Sequence, residues 1–141
     1  MNRCIIDASV AVKWFFRDEI LADRAEAVLR SRTSIVVPDY FYLEMSSVFS
    51  KMARKKMLTA EIARHMYKAL RAFPARVIHA GTYAELAMDV SMDKHASYYD
   101  CLYVVPALIT GIPLVTADKR LYNAFRETEM AYCVIWLENF T

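Results

Sequence analysis

The sequence predicts a three-layer α/β/α sandwich around a central parallel sheet of about five strands. Two observations lead to this fold class. Short apolar runs of strand type alternate along the chain with helical periods of roughly ten to fifteen residues. No low-complexity stretch, linker or internal repeat interrupts the alternation over the 141 residues. We therefore expect one domain, spanning residues 1–141, with a single core.

The elements follow one another in a repeating βα order. The predicted strands cover residues 3–6, 35–37, 76–79, 113–116 and 133–136. A pair of helices is predicted in each of the first three connections, at 8–16 and 20–30, at 40–52 and 60–73, and at 83–92 and 96–110. One further helix, 119–125, follows the fourth strand. Such βαβ units predict parallel pairing, because parallel strands need a crossover connection.

Capping residues support several of these boundaries. Thr82 and Glu85 have the spacing of a capping box, and Thr59 precedes an acidic first turn. Gly111, followed closely by Pro113, is expected to end the last helix of the third connection.

Composition excludes disordered and membrane-spanning classes. Apolar residues make up 57% of the chain, which is too many for a disordered protein. The longest uncharged apolar stretch, 96–117, is broken by Asp100, Gly111 and two prolines, so it predicts a helix, a turn and a strand. The first residues lack the layout of a signal peptide. We expect a soluble cytoplasmic protein.

Cysteine and glycine usage narrows the chemistry further. Cys4, Cys101 and Cys133 lie far apart, without CxxC spacing, and are expected to be buried thiols rather than disulfide or zinc ligands. The chain has only two glycines, so a glycine-rich phosphate loop is excluded. Phosphate binding would need a metal ion or basic side chains instead.

Four carboxylates are the most informative residues, because each stands at the end of an apolar run or on the rim of an apolar helix face. They are Asp7, Glu44, Asp100 and Asp118. Such carboxylates are costly to bury without a positive partner, and no lysine or arginine recurs beside them. A hard divalent cation would meet that need, and metal pockets built only from oxygen typically handle phosphates.

Asp7 and Asp118 each follow a predicted strand directly. That edge of a parallel sheet is where ligands bind, yet either residue could serve only as the N-cap of the next helix. Glu44 lies about 60° around its helix from Phe41, at the edge of the apolar stripe. It could belong to the site, or it could be an ordinary glutamate at the boundary of an amphipathic helix. Asp100 opens a helix that is apolar on all sides, and its spacing from Ser97 also fits a capping box. A parallel sheet would bring all four to one edge, which favours a single site.

Four short motifs, in order along the chain, resemble those of the PIN-domain nucleases, and within them the VapC-type toxins of toxin–antitoxin pairs. The matching segments are IIDAS at 5–9, VP at 37–38 with Glu44 on the helix that follows, YDCLY at 99–103 and LVTADKRL at 114–121. Each is weak alone, but the ordered set over the whole chain is fairly specific.

The resemblance implies a Mg²⁺- or Mn²⁺-dependent endoribonuclease that cuts RNA, forms a homodimer and binds a small antitoxin protein. It assigns the four carboxylates as catalytic metal ligands, with Ser9 and Thr116 as supporting hydroxyls. In our mechanistic hypothesis Asp7, Asp100 and Asp118 anchor one or two ions, and Glu44 completes the shell or orients water. Two departures from the family pattern are Pro106, expected to kink its helix, and the segment 92–96, which lacks the usual glycine.

Basic side chains near the expected pocket are candidates for RNA binding. We favour Lys13, Lys119 and Arg120; for a second basic cluster at residues 51–56, a solvated helix end is favoured over RNA binding. Basic residues number 18 against 12 acidic ones once the four site carboxylates are set aside, which suits a polyanion. For the aromatic run 14–16 a place in the core or a dimer contact is favoured over base stacking.

Several alternatives stay open. A haloacid-dehalogenase phosphohydrolase needs a second aspartate where Ser9 stands, and a receiver domain needs adjacent acids at the first strand, so both fit poorly. A PIN-like RNA-binding or assembly module with little or no catalysis, or a housekeeping nuclease without a toxin role, would share the same fold. Retention of all four acids argues against a decayed site.

Overall fold

The computed structural model describes residues 2–141 and contains a single five-stranded parallel sheet. The strands are β1 (Arg3–Ile6), β2 (Ser34–Pro38), β3 (Arg76–Ile78), β4 (Leu114–Thr116) and β5 (Val134–Trp136). Their order across the sheet is β3-β2-β1-β4-β5, and every neighbouring pair is parallel. The predicted strands are confirmed to within a residue or two.

Seven α-helices fill the connections as predicted. They are α1 (Ala8–Phe15), α2 (Ala22–Arg30), α3 (Tyr40–Arg54), α4 (Ala60–Ala72), α5 (Ala84–Lys94), α6 (Tyr98–Thr110) and α7 (Lys119–Phe125). The chain winds outwards from β1 to β3 and then crosses back to β4 and β5. Because such crossovers are right-handed, the two directions put α1 to α4 on one face of the sheet and α5 to α7 on the other. The result is the predicted α/β/α sandwich.

The strands read as continuous apolar runs because helices cover both faces of the sheet. Cys4, Ile5 and Ile6 of β1 are fully buried, as are Leu114 and Val115 of the adjacent β4. The strand order reverses between these two central strands. In a parallel sheet such a reversal opens a crevice at the carboxyl edge, and this is where the fold can accommodate a ligand.

Both predicted capping boxes are wrong, whereas the caps at Thr59 and Gly111 are confirmed; Gly111 ends α6 in the left-handed conformation. The Thr59 hydroxyl accepts a hydrogen bond from the Ile62 amide at 3.1 Å and caps α4. Thr82 caps nothing, because it lies inside a short 3₁₀ turn, Ala80–Tyr83, and its backbone is not extended as an N-cap requires. Ser97 precedes α6 but makes no capping hydrogen bond, so no capping box forms with Asp100.

Helix α6 is buried along most of its length. The residues from Cys101 to Ala107 are all buried, as the apolar sequence predicted. Pro106 lies inside α6 and does not end it; the Thr110 hydroxyl donates to the Pro106 carbonyl at 2.6 Å in the following turn. The kink expected at Pro106 stays a prediction.

All three cysteines are free and buried, which confirms the expectation of inert thiols. Burial raises the pKa of Cys4 and of Cys101 to about 11, so both stay protonated near neutral pH. Over residues 2–141, none of the helices combines the length and the apolar character needed to cross a membrane.

Candidate acidic active site

The four carboxylates come together in one small pocket at the carboxyl edge of the sheet, beside the point where the strand order reverses. The pocket has a volume of about 140 Å³ and is lined by Asp7, Ala8, Ser9, Glu44, Asp100, Tyr103 and Asp118. A larger groove of about 500 Å³ lies between α3 and α4, but its lining contains no carboxylate. The acidic pocket is therefore the candidate for chemistry on phosphates.

Asp7 forms the floor of the pocket and is only 4% exposed. Its side chain caps α1 by accepting a hydrogen bond from the Ser9 amide at 3.1 Å, so it is an N-cap and a pocket residue at once. The Ser9 and Thr116 hydroxyls donate to its two carboxylate oxygens. Burial raises the pKa of Asp7 to about 7, and the charges of Glu44 and Asp118 add to the rise, although both hydroxyls oppose it.

Ser9 and Thr116 connect the end of β1 to the turn after β4. The Ala117 amide donates to the Ser9 hydroxyl at 2.9 Å, and the Asp118 amide donates to the Thr116 hydroxyl at 3.0 Å. Each hydroxyl thus accepts from the backbone of one turn and donates to Asp7. This arrangement fixes Asp7 relative to Asp118 through atoms that have little freedom to move.

Glu44 reaches the pocket from α3, on the edge of a buried stripe that includes Phe41, Met45 and Phe49. The Tyr103 hydroxyl donates to Glu44 Oε1 at 2.7 Å. Burial raises the pKa of Glu44, and the charges of Asp100 and Asp118 raise it further. Burial also keeps the pKa of Tyr103 well above its usual range, so the phenol remains a proton donor.

Asp100 and Asp118 form the mouth of the pocket. Asp118 caps α7 by accepting from the Arg120 and Leu121 amides at 2.9 and 3.3 Å. Arg120 Nη2 lies 3.3 Å from Asp100 Oδ2 and 4.0 Å from Asp118 Oδ2. Burial raises the pKa of Asp100 and the Arg120 charge counteracts that rise. Arg120 is thus a cationic partner for the two outer acids, but not for Asp7 or Glu44.

The other two candidate RNA-binding lysines lie outside the pocket. Lys13 is buried at the end of α1 and its ammonium group faces Glu19 at 3.4 Å. Lys119 is exposed at the start of α7 and lines a neighbouring groove. A role of either lysine in RNA binding stays a prediction, and the surroundings of Lys119 suit it better.

The aromatic run at the end of α1 packs against the core, as the sequence favoured. The Trp14 indole N–H donates to the Ala25 carbonyl at 2.9 Å, and its ring lies 5.5 Å from Phe73. Phe15 packs edge-on against Phe49 at 5.2 Å, and Phe16 also packs against the core.

Oxygen is the only donor type that the four carboxylates offer, and this suits Mg²⁺ or Mn²⁺ better than zinc. As the side chains stand, however, no three acids, histidines or cysteines within residues 2–141 are grouped closely enough to hold an ion. The contacts explain why, because Arg120 engages the two outer acids and Tyr103 engages Glu44. The donor chemistry fits a hard cation if Arg120 gives way to it.

Tyr103 is the pocket residue that sequence reasoning missed, because it lies in a run read only as buried helix. The available signal was its spacing from Asp100: residues three apart on a helix share a face. A polar hydroxyl one turn after a site carboxylate, in an otherwise apolar helix, marks a group aimed at the same pocket. Arg120 was predicted as a substrate contact, but its contact with Asp100 and Asp118 was not.

Comparisons with known proteins identify the family to which this sequence and fold belong. The PIN domain family matches residues 4–126. Ribonuclease VapC3 of Mycobacterium tuberculosis, in the strains CDC 1551 / Oshkosh and ATCC 25618 / H37Rv, is 32% identical over 126 residues, which is 88% of each chain. The crystal structure of PAE2754 from Pyrobaculum aerophilum superposes with a TM-score of 0.68 at 20% identity, covering 96% of this chain and 84% of that one, and shows the same fold. The chain belongs to the PIN-domain family, in its VapC group.

Proposed function

We propose that this protein is a Mg²⁺- or Mn²⁺-dependent endoribonuclease and the toxin of a toxin–antitoxin pair that acts in the cytoplasm. The observation that carries the proposal is the meeting of four carboxylates from distant parts of the chain in one pocket, where Arg120 is their only cationic partner among residues 2–141. Burial and the charges of neighbouring carboxylates raise the pKa values of Asp7, Glu44 and Asp100, so Arg120 does not offset the negative charge of the pocket. The relatives named ribonuclease VapC3 support the same activity.

Each carboxylate has a role in this proposal. Asp7, Asp100 and Asp118 would hold the ion, which when bound supplies positive charge for the phosphate and lowers the pKa of an attacking water. Glu44 is placed to orient that water and to accept its proton, because burial gives its carboxylate a raised pKa. Tyr103 holds Glu44 in position through its hydroxyl.

The direct test compares two carboxylate-to-amide variants on a single-stranded RNA substrate with Mn²⁺. We expect Asp100→Asn to lower the cleavage rate at least about a hundredfold, because one ligand of the ion is lost. Asp89→Asn is the matched control, since Asp89 is exposed on α5 outside the pocket. Chelation with EDTA should abolish cleavage by the wild-type protein. Cleavage that survives both EDTA and Asp100→Asn would remove the metal-dependent proposal.

Mn²⁺ binding separates the nuclease from a non-catalytic PIN-like module. A competent site should raise the melting temperature of the wild-type protein as Mn²⁺ is added, since the ion binds only the folded state. Asp100→Asn should reduce that shift. A melting curve that Mn²⁺ leaves unchanged would favour the decayed, RNA-binding alternative.

For the antitoxin we propose the groove between α3 and α4 as the docking surface. Its floor is apolar, with Phe49, Ala63 and Tyr67, and its rim carries Arg64 and Lys68. Charge complementarity favours an acidic amphipathic segment of the partner. In co-expression with a candidate antitoxin that carries such a segment, Arg64→Glu should weaken the complex, whereas Arg3→Glu, on the exposed start of β1, should not. Equal capture by both variants would exclude this groove.

We also propose a homodimer that buries the exposed apolar side chains of α5. Met88 and Met92 lie one turn apart on this helix and are 49% and 61% exposed. Light scattering should give the mass of two chains for the wild type and of one chain for Met92→Glu, because a carboxylate at the contact would be costly to desolvate. A monomeric wild-type protein would contradict the dimer.

A further inference from the structure

A second groove lies beside the acidic pocket and has a different chemistry. It has a volume of about 240 Å³ and is lined by Lys119, Tyr122, Asn123, Arg126 and Trp136. Lys119 directly follows the pocket residue Asp118 along the chain. Trp136 pairs in register with Thr116, the residue whose hydroxyl contacts Asp7. The backbone of Trp136 therefore lies about one strand spacing, roughly 5 Å, from that of Thr116 at the edge of the site.

The spacing of the α7 side chains explains how the groove forms. Lys119, Tyr122 and Arg126 are three and four residues apart, so they share one face of the helix. Leu121 and Phe125 occupy the opposite face and are buried in the core. The face of α7 that carries Tyr122 lies against the end of β5, where Trp136 forms the other wall of the groove.

The groove offers flat aromatic surface with positive charge at its rim. The rings of Tyr122 and Trp136 lie 5.5 Å apart at an interplanar angle of 49°, so neither covers the whole face of the other. Both side chains are half-buried, while the two cations are exposed. Within residues 2–141, Lys119 forms no ion pair, and Arg126 has only a 3.9 Å contact with Glu127. These cations remain available to an anionic ligand.

We propose that this groove is a nucleobase-stacking subsite for single-stranded RNA next to the cleavage site. A base would stack on Trp136 and Tyr122, and Lys119 and Arg126 would contact the phosphates on either side of it. The small volume suits one flat ring rather than a larger ligand. The inference rests on the proposed ribonuclease function. It adds a second RNA-binding contact that lies outside the acidic pocket.

The experiment uses Trp136 as its own reporter. The chain has two tryptophans, and Trp14 is packed in the core, so Trp14→Phe leaves Trp136 as the only fluorophore of its kind. This variant is titrated in EDTA, which prevents cleavage, with a short single-stranded RNA and with the same RNA carrying abasic positions. Anisotropy of a label on the RNA measures binding, and tryptophan emission measures stacking. The melting temperature verifies that the variant is folded.

We expect the intact RNA to bind and to quench Trp136, and the abasic RNA to bind about 5- to 150-fold more weakly without quenching, the loss expected when one stacked base is removed. Tyr122→Leu should weaken binding of the intact RNA but not of the abasic RNA. Binding without quenching, or equal affinity for the two RNAs, would overturn the subsite and leave the ribonuclease proposal standing. If wild-type protein neither binds nor, with Mn²⁺, cleaves RNA, the ribonuclease proposal itself fails.

Discussion

The acidic pocket has an inner and an outer half that the protein holds in different ways. In the inner half, Asp7 is buried and accepts hydrogen bonds from two short hydroxyl side chains and one backbone amide. In the outer half, Asp100 and Asp118 contact Arg120, whose side chain is 74% exposed. Buried hydrogen bonds from short side chains fix the inner carboxylate. The outer pair instead faces the guanidinium group of one long, solvent-exposed side chain.

This difference indicates which part of the pocket is preorganised. The position of Asp7 is set by the ends of two adjacent strands and cannot change without disturbing the core. Asp100 can turn towards a cation once Arg120 leaves, because an ion pair with an exposed arginine contributes little to stability. Asp118 has less freedom, since two amides of α7 also hold its side chain. The protein therefore fixes Asp7 most firmly and leaves Asp100 the most freedom, and the following predictions test the two halves separately.

The largest effect is expected from the inner half. Asp7→Asn keeps the shape of the side chain but removes its charge, so cleavage with Mn²⁺ should fall by at least about a hundredfold. The metal-free variant should nevertheless melt at a higher temperature than the wild type at about pH 8, since it no longer buries a charge. Asp89→Asn should change neither quantity. A variant that lost activity together with stability would instead show a damaged fold.

The pH dependence of stability follows from the same residue. Burial raises the pKa of folded Asp7 to about 7 from 3.8, so between these values the folded state keeps a proton that the unfolded state has lost. This contribution is complete below about pH 4 and is lost as the pH rises through about 7, an effect of up to about 4 kcal/mol. Urea unfolding in EDTA should show the free-energy difference between Asp7→Asn and the wild type growing from about pH 5 to pH 8. A constant difference would mean that Asp7 is ionised throughout.

How much of this organisation the sequence predicts depends on the range of the interactions. The alternation of apolar strands with helices predicted the layers, because period and composition are local properties. The strand order β3-β2-β1-β4-β5 was not predicted, since it depends on where the third crossover returns. The wrong cap at Thr82 has a similar origin: the 3₁₀ turn before α5 follows from how His79 and Ala80 join Asp39 of another connection.

The same distinction applies to the site. Asp7 and Asp118 could be placed at one edge because each ends a strand of a parallel sheet. The ion pair of Arg120 with Asp100 joins residues from α6 and α7, and the Tyr103 contact joins α6 to α3. Such contacts depend on how helices pack and on side-chain rotamers, which no local pattern encodes. Positions set by the ends of strands were therefore more predictable than contacts between helices.

A smaller effect is expected when the inner support is removed but its carboxylate is kept. Thr116→Val deletes the donor to Asp7 and the acceptor of the Asp118 amide without changing the volume greatly. Buried groups left without partners should lower the free energy of unfolding by about 1 to 3 kcal/mol. The matched control is Thr82→Val, where the threonine is exposed and outside the pocket. Chemical denaturation of both variants measures the difference, and equal values would argue that the hydroxyl network is not rigid.

The smallest effect should come from the outer half. Arg120→Gln removes the cation that faces Asp100 and Asp118, so Mn²⁺ should bind more tightly, by about two- to tenfold, because it no longer displaces a resident charge. Stability should change by less than about 0.5 kcal/mol, as is usual for an exposed pair. Calorimetric titration with Mn²⁺ measures the affinity. Arg64→Gln on α4 is the control, because both variants lose one positive charge and so have the same net charge. If Arg120→Gln instead bound Mn²⁺ more weakly than Arg64→Gln, Arg120 would be ordering the two acids for the ion, and the outer half would be as preorganised as the inner one.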